Sequence, residues 1–181
     1  MDIVKQIQNY KILRNILIVV IGSLLLTISA KIKIPFYPVP MTMQTFVVLM
    51  LGISFGPKLG VSAVVLYLIE GIAGIPVFSN SPEKGVGLIY FTGPTMGYLI
   101  GFIFACFLCG QFKMNTNLAL VFFKLIVSVS VIYLLGTLWL GSLIGWDKPI
   151  FSLGVKPFIL AEICKILLLT LITKFLVKFR K

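Results

Sequence analysis

The chain has 181 residues, of which 59% are hydrophobic and 12% charged, and its mean hydropathy is +1.11. A soluble domain carries about twice that charged fraction, so a water-soluble catalytic domain is excluded and residues 1–181 read as one membrane-embedded bundle. The net charge of +11 does not indicate nucleic acid: the basic residues sit mostly in short loops and at the termini, where cytoplasmic Lys and Arg of membrane proteins collect.

Lys11 and Arg14 precede an apolar run that ends at Ala30. The run has the order of a signal peptide, but Ile28 stands where a small residue is required and further spans follow. It reads as a retained first helix, Asn15–Ala30. The next loop places Pro35, Pro38 and Pro40 within six residues, which removes backbone donors and predicts irregular structure. Two short apolar segments follow, Thr42–Phe55 and Leu59–Ile72, separated by Gly56-Pro57-Lys58 and closed by Gly71, Gly74 and Pro76. At about 1.5 Å per residue each is ~20 Å long, so they are two short spans or one re-entrant hairpin; two spans is the reading adopted.

A polar loop from Val77 to Gly87 carries Ser79, Asn80, Ser81, Pro82, Glu83 and Lys84. Three more spans are predicted: Pro94–Phe112, Asn117–Leu140 and Pro157–Val177. The last two are joined by a loop with Trp146, Asp147 and Lys148, an interfacial composition. The fold class is therefore all-α integral membrane, a six-transmembrane-helix bundle. With both termini cytoplasmic, nine basic residues lie inside (Lys5, Lys11, Arg14, Lys58, Lys113, Lys174, Lys178, Arg180, Lys181) against five outside (Lys31, Lys33, Lys84, Lys148, Lys156). That bias sets the orientation and turns the proline loop, the Asn80 loop and the Trp146 loop outward. The location implied is the cell membrane, with multiple passes.

Glu162 and Lys165 stand out, because an acid and a base three residues apart share one helix face. Charges at that depth face a bundle interior or a wet cavity. Such a pair suits an amphiphilic anion, with Lys165 at a carboxylate and Glu162 accepting N–H groups; an internal ion pair near the headgroups is the plainer alternative. Thr42, Gln44, Thr45, Asn80, Thr95 and Tyr98 lie toward the same outer side and are candidate binding groups. Glu70, at the outer end of the third span, is expected to meet water. Ser23 and Thr27, with Gly22 and Ala30 nearby, form a small-residue face for packing within the chain or against a partner. Cys106, Cys109 and Cys164 lie in apolar segments, and the chain has no histidine, so no metal site or cofactor is indicated. There is no GxxxxGK[ST] loop and no nucleophile–base pair. The protein is thus not an enzyme, and any uphill transport draws on a partner.

These segments resemble a known family. Ile34-Pro-Phe-Tyr-Pro-Val-Pro-Met-Thr42-Met-Gln44-Thr45 looks like the PxPVPxTxQT signature of BioY proteins, the biotin-specific S components of energy-coupling-factor (ECF) transporters. The likeness continues through Leu51-Gly-Ile-Ser-Phe-Gly56-Pro57, Gly74-Ile-Pro76-Val-Phe78, Gly93-Pro94-Thr95-Met-Gly97-Tyr98 and Gly154-Val-Lys-Pro157-Phe. The resemblance implies a six-helix S-component fold that captures biotin from outside, with import driven by a membrane coupling protein and two cytosolic ATPases. It implies that Glu162 and Lys165 occupy the places of a ligand-binding Asp and Lys, and that Asn80 and Tyr98 lie near the ligand. It also implies that Ser23 and Thr27 replace an alanine-based face used to dock the coupling protein. Glu162 in place of Asp and Met96 in place of a glycine are departures. An importer for another small anionic vitamin or amino-acid-like solute, and a purely structural membrane protein, are the competing readings.

Overall fold

The computed structural model describes residues 2–34, 37–114 and 117–180, with side chains from Gln8 onward. Pro35, Phe36, Lys181 and the Lys5 side chain, which entered the motif and charge readings, lie outside the described residues. Helix α1 spans Asp2–Lys31. One stripe of it is buried (Gly22, Ser23, Leu26, Ser29, Ala30), while Leu13, Ile16, Leu17, Val20, Ile21, Leu24 and Ile28 are exposed. In water that much continuous apolar surface would drive aggregation; in lipid it is the solvated face.

After α1 the proline loop forms a two-stranded antiparallel hairpin, β1 (Lys33–Ile34) with β2 (Met41–Thr42), in which Lys33 pairs with Thr42. Its tip tucks inward, burying Pro38, Val39 and Pro40. Irregular structure was the expectation here, but Lys33, Ile34, Met41 and Thr42 all keep their backbone donors and therefore pair.

Helix α2 covers Gln44–Ile72 but breaks at Gly56, whose φ of 73° lies in the left-handed region that glycine tolerates. Pro57 follows, and it starts a helix well because its missing N–H would be unpaired there anyway. The two limbs, 44–55 and 57–72, run antiparallel. Gln44 Nε2 donates to the Tyr67 hydroxyl at 2.7 Å across 23 positions, whereas an unbroken helix would separate them by about 35 Å. These limbs form the centre of the bundle: Val48, Leu51, Ile53, Ala63, Val64 and Tyr67 are fully buried.

The short α3 (Leu88–Phe91) leads into α4 (Met96–Gln111), and α5 (Leu118–Ile144) follows, capped by the Asn117 side chain on Ala119 N at 2.8 Å. The short α6 (Ile150–Gly154) and a 3-10 turn (Lys156–Phe158) precede α7 (Ile159–Leu176), and a last 3-10 turn covers Val177–Arg180. Six long segments result: α1, the two limbs of α2, α4, α5 and α7. Among the described residues, Gln8–Lys31, Gln44–Ile72 and Leu118–Ile144 have the length and apolarity of membrane spans, and Met96–Gln111 is a shorter apolar helix. α7 carries three charges, Glu162, Lys165 and Lys174, which lowers its apolarity.

Small residues set the helix spacing. A methyl at Gly52 would lie 2.7 Å from the Cys106 carbonyl oxygen, one at Gly101 2.7 Å from Ile132 Cα, and one at Gly22 2.7 Å from Ala63 Cβ. In a membrane, where lipid is as apolar as leucine, such backbone approach supplies the packing. It also corrects the reading of α1. Ser23 is fully buried and donates to Glu70 Oε2, and Thr27 Oγ1 donates to the Ser23 carbonyl at 3.1 Å. The small face is therefore the seam between α1 and the second limb of α2, and Ser23 is not presented to a partner. Glu70 reaches into that seam because its side chain leans toward the start of its helix.

The ends of the bundle differ. At one end Arg180 donates to the Gly110 carbonyl and, at 3.3 Å, to the Phe112 carbonyl, closing the last turn of α4 beside the Gly56 break. A cation at a helix C-terminus is favourably placed. The other end gathers the hairpin, residues 73–95 and residues 145–158, as Trp139 Nε1 on the Gly93 carbonyl (2.9 Å) and the Tyr98 hydroxyl on the Gly154 carbonyl (2.9 Å) show.

Gly52→Val should wedge the first limb of α2 away from α4. Overpacking of this kind costs roughly 1–3 kcal/mol, so the purified variant should melt below the wild type in detergent; an unchanged melting temperature would mean the close approach is dispensable.

Candidate functional site

Helix α7 begins just after Pro157, and Glu162 falls in its first turn, where a carboxylate is favoured by the helix dipole. Lys165 lies one turn on. Both are buried, at 6% and 7% exposure, and they pair at 2.8 Å. Lys165 Nζ also donates to the Thr42 carbonyl (2.6 Å) and to Thr45 Oγ1 (3.1 Å), and Thr45 Oγ1 donates to Glu162 Oε1 (2.8 Å). An ammonium has three N–H groups, and all three are spent on these oxygens. In this arrangement Lys165 has none left for a ligand carboxylate. Glu162 Oε2, by contrast, is buried without a hydrogen bond of good geometry, and the Tyr133 hydroxyl is the protein donor that faces the Glu162 carboxylate.

Glu162 forms one wall of a cavity of about 50 Å³ at the loop end of the bundle. The hairpin and the start of α2 contribute Val39, Pro40, Met41, Thr42, Gln44 and Thr45. The 79–102 region adds Ser79, Tyr90, Thr95, Tyr98, Leu99 and Phe102, and Ile132, Tyr133 and Phe158 close the remaining side. A few fixed polar groups in a mostly apolar wall is the composition of a small-molecule site. As it stands the cavity is too small to take a bicyclic vitamin whole, so uptake requires the loops or Tyr133 to yield. A larger apolar groove of about 870 Å³ lies between α5 and α7, and Tyr133 and Glu162 are the residues it shares with the cavity.

The structure sorts the residues singled out above. Glu162, Gln44, Thr95 and Tyr98 line the cavity. Two of these are already engaged: the Gln44 amide bonds Tyr67 at 2.7 Å and Thr42 Oγ1 at 3.2 Å, and the Tyr98 hydroxyl bonds Gly154. Lys165 stands behind Glu162, toward the hairpin, and does not line the cavity. Asn80 does not line it either; its Oδ1 accepts from Lys33 Nζ at 3.0 Å, and it lines a neighbouring pocket with Tyr90 and Thr95. Ser23 and Thr27 lie in the α1 seam, away from it. Sequence reasoning missed Ser79, Tyr90 and Tyr133. Ser79 is one residue from a position that was weighed, whereas a lone tyrosine in an apolar helix, as at Tyr133, gives no signal. Among the described residues no cluster of acids, cysteines or histidines is arranged to hold a metal, and Cys106 and Cys109 are buried in the core.

With this geometry in hand, likeness to known proteins becomes informative. The BioY family profile matches residues 4–181. A probable biotin transporter BioY of Pyrococcus horikoshii is 36% identical over 152 residues, 84% of this chain and 89% of that protein. The biotin transporter BioY of Thermotoga maritima is 34% identical over 84% of this chain and 89% of its own length. The fold matches the 2.1 Å crystal structure of the S component for biotin from an ECF-type ABC transporter, with a TM-score of 0.79, 25% identity and 94% of each chain covered. This chain, a multi-pass membrane protein, belongs to the BioY family.

Proposed function

We propose that this protein is the biotin-binding S component of an ECF importer and that the cavity bounded by Glu162 receives the ring end of the vitamin. The observation that carries this reading is the buried Glu162 carboxylate in the cavity wall, whose Oε1 is spent on Lys165 and Thr45 and whose Oε2 is left for the Tyr133 hydroxyl or a ligand. A buried acceptor left unpaired costs about 1–3 kcal/mol, more when charged, and a ligand N–H relieves that cost. The cyclic urea of biotin offers two N–H donors. Lys165 then acts through Glu162: its ammonium pairs with the acid and holds it, with Thr45, against the hairpin. The sequence reading placed Lys165 at the ligand carboxylate. With its three N–H groups engaged, the opposite polarity fits better, with the ring inward and the carboxylate toward the loop end, where Lys84 stands exposed.

Partners and orientation follow the same reading. The chain has no phosphate-binding loop, and the BioY resemblance implies that energy for import comes from a membrane coupling protein and two cytosolic ATPases. The end marked by Gly56-Pro57, Gly110 and Arg180 carries Lys58, Lys113, Lys174 and Lys178, and the positive-inside rule makes it cytoplasmic. The cavity end then faces the outside, where an importer meets its substrate.

Glu162→Gln should weaken biotin binding about 10- to 100-fold in titration calorimetry, the value of a hydrogen bond to a charged group, while Glu162→Asp stays within a few-fold of wild type. Equal affinities for all three proteins would remove Glu162 from the site. Lys165→Ala strands a buried carboxylate, a change that costs about 3–5 kcal/mol, so the biotin-free protein should melt well below the wild type. For orientation, a green fluorescent protein fused at the C-terminus should fluoresce and a fused alkaline phosphatase should be inactive; the reverse pattern would invert the topology.

A further inference from the structure

Three buried side-chain polar atoms among the described residues have no hydrogen-bond partner: Asn15 Oδ1, Ser79 Oγ and Glu162 Oε2. The last two belong to walls of the same cavity. Ser79 is 5% exposed, so its hydroxyl is shielded from bulk solvent and faces the cavity.

The loop that carries Ser79 is held on every other side. Phe78 is buried, stacked on Tyr90 with centroids 4.6 Å apart and edge-on to Tyr67 at 5.3 Å. Lys31 Nζ donates to the Phe78 carbonyl (2.8 Å) and the Ser81 carbonyl (3.0 Å). Lys33 Nζ donates to the Ser79 carbonyl (2.8 Å) and to Asn80 Oδ1 (3.0 Å), and Ser81 Oγ donates back to the Phe78 carbonyl (2.9 Å). Two lysines from the end of α1 and the hairpin thus hold four consecutive loop residues and leave the Ser79 hydroxyl as the buried polar side-chain atom without a bond. A buried polar group left unsatisfied by its own chain calls for an explanation, and a ligand in the cavity that Ser79 lines supplies one.

We infer that Ser79 Oγ is a ligand-contacting group that works with Glu162 Oε2, the hydroxyl donating to a ligand carbonyl and the carboxylate accepting the adjacent N–H. The inference rests on the cavity being the ligand site. The pair is complementary because an ionised carboxylate only accepts, whereas a hydroxyl also donates. Together they read an edge that presents C=O beside N–H, the edge of a cyclic urea or lactam. A ligand with only carboxylate and hydrocarbon matches one of the two groups at best. Lys31 and Lys33 are positioning residues in this scheme: they touch the loop and not the ligand.

The test is Ser79→Ala in the purified full-length protein, with biotin and with desthiobiotin, which keeps the cyclic urea and lacks the sulfur ring. The hydroxyl has no protein partner, so its removal should leave the melting temperature of the biotin-free protein unchanged or slightly raised. Affinity for biotin should fall about tenfold, the worth of roughly 1.4 kcal/mol and typical of one hydrogen bond, and affinity for desthiobiotin by the same factor. Unchanged biotin affinity would overturn the assignment, as would a marked drop in melting temperature, which would reveal a protein partner. A loss confined to biotin would place Ser79 at the sulfur ring and overturn the carbonyl contact. Absence of biotin binding by the wild type would instead overturn the reading of the cavity on which this inference rests.

Discussion

The buried pair of Glu162 and Lys165 organises the ligand end of this molecule. Taking two charges out of water is costly, and their attraction compensates only when further hydrogen bonds satisfy what remains. Here the three protons of Lys165 fall on Glu162, Thr45 and the Thr42 carbonyl. That arrangement ties α7 to the start of α2 and to strand β2, which have no covalent reason to meet it. It also leaves one carboxylate oxygen over. That oxygen is buried, so the same interaction that holds the helices together leaves an acceptor in the cavity wall, opposite the Tyr133 hydroxyl.

From that anchor the rest of the site follows by contact. Strand β2 pairs with β1, and Lys33 of β1 holds the Ser79–Asn80 backbone and side chain across the cavity mouth. A continuous polar chain therefore runs from Glu162 through Lys165, Thr42 and Lys33 to Ser79. The helices beneath are packed backbone to backbone at Gly52 and Gly101, and interiors of that density yield little. The bundle is the tightly packed part, and Tyr133 is a side chain that stands between the cavity and the groove along α5 and α7.

The far end is built on a different principle. Arg180 closes the last turn of α4 beside the Gly56 break, so the chain's last described residue locks three elements together. Cations without facing carboxylates collect there, which suits a surface against anionic headgroups. Capture and anchoring thus sit at opposite ends of one bundle, joined by helices whose outer faces are hydrocarbon.

Much of this was legible in the amino-acid sequence, for reasons that are local. Membrane residence follows from transfer energetics summed over windows, and the break at Gly56-Pro57 from the chemistry of those two residues. The Glu162–Lys165 pair follows from i, i+3 spacing on a helix. What only the tertiary structure decided are choices between neighbours that composition treats alike. In lipid both faces of α1 are acceptable, so hydropathy could not say that Ser23 turns inward to Glu70. Lys165 is a plausible ligand contact until its three donors are counted, and two of the oxygens it meets lie more than a hundred residues away. Likewise Asn80 and Ser79 are adjacent polar residues in one loop. Which of them lines the cavity is set by Lys33, 46 positions earlier, whose ammonium binds Asn80 outside and leaves the Ser79 hydroxyl within.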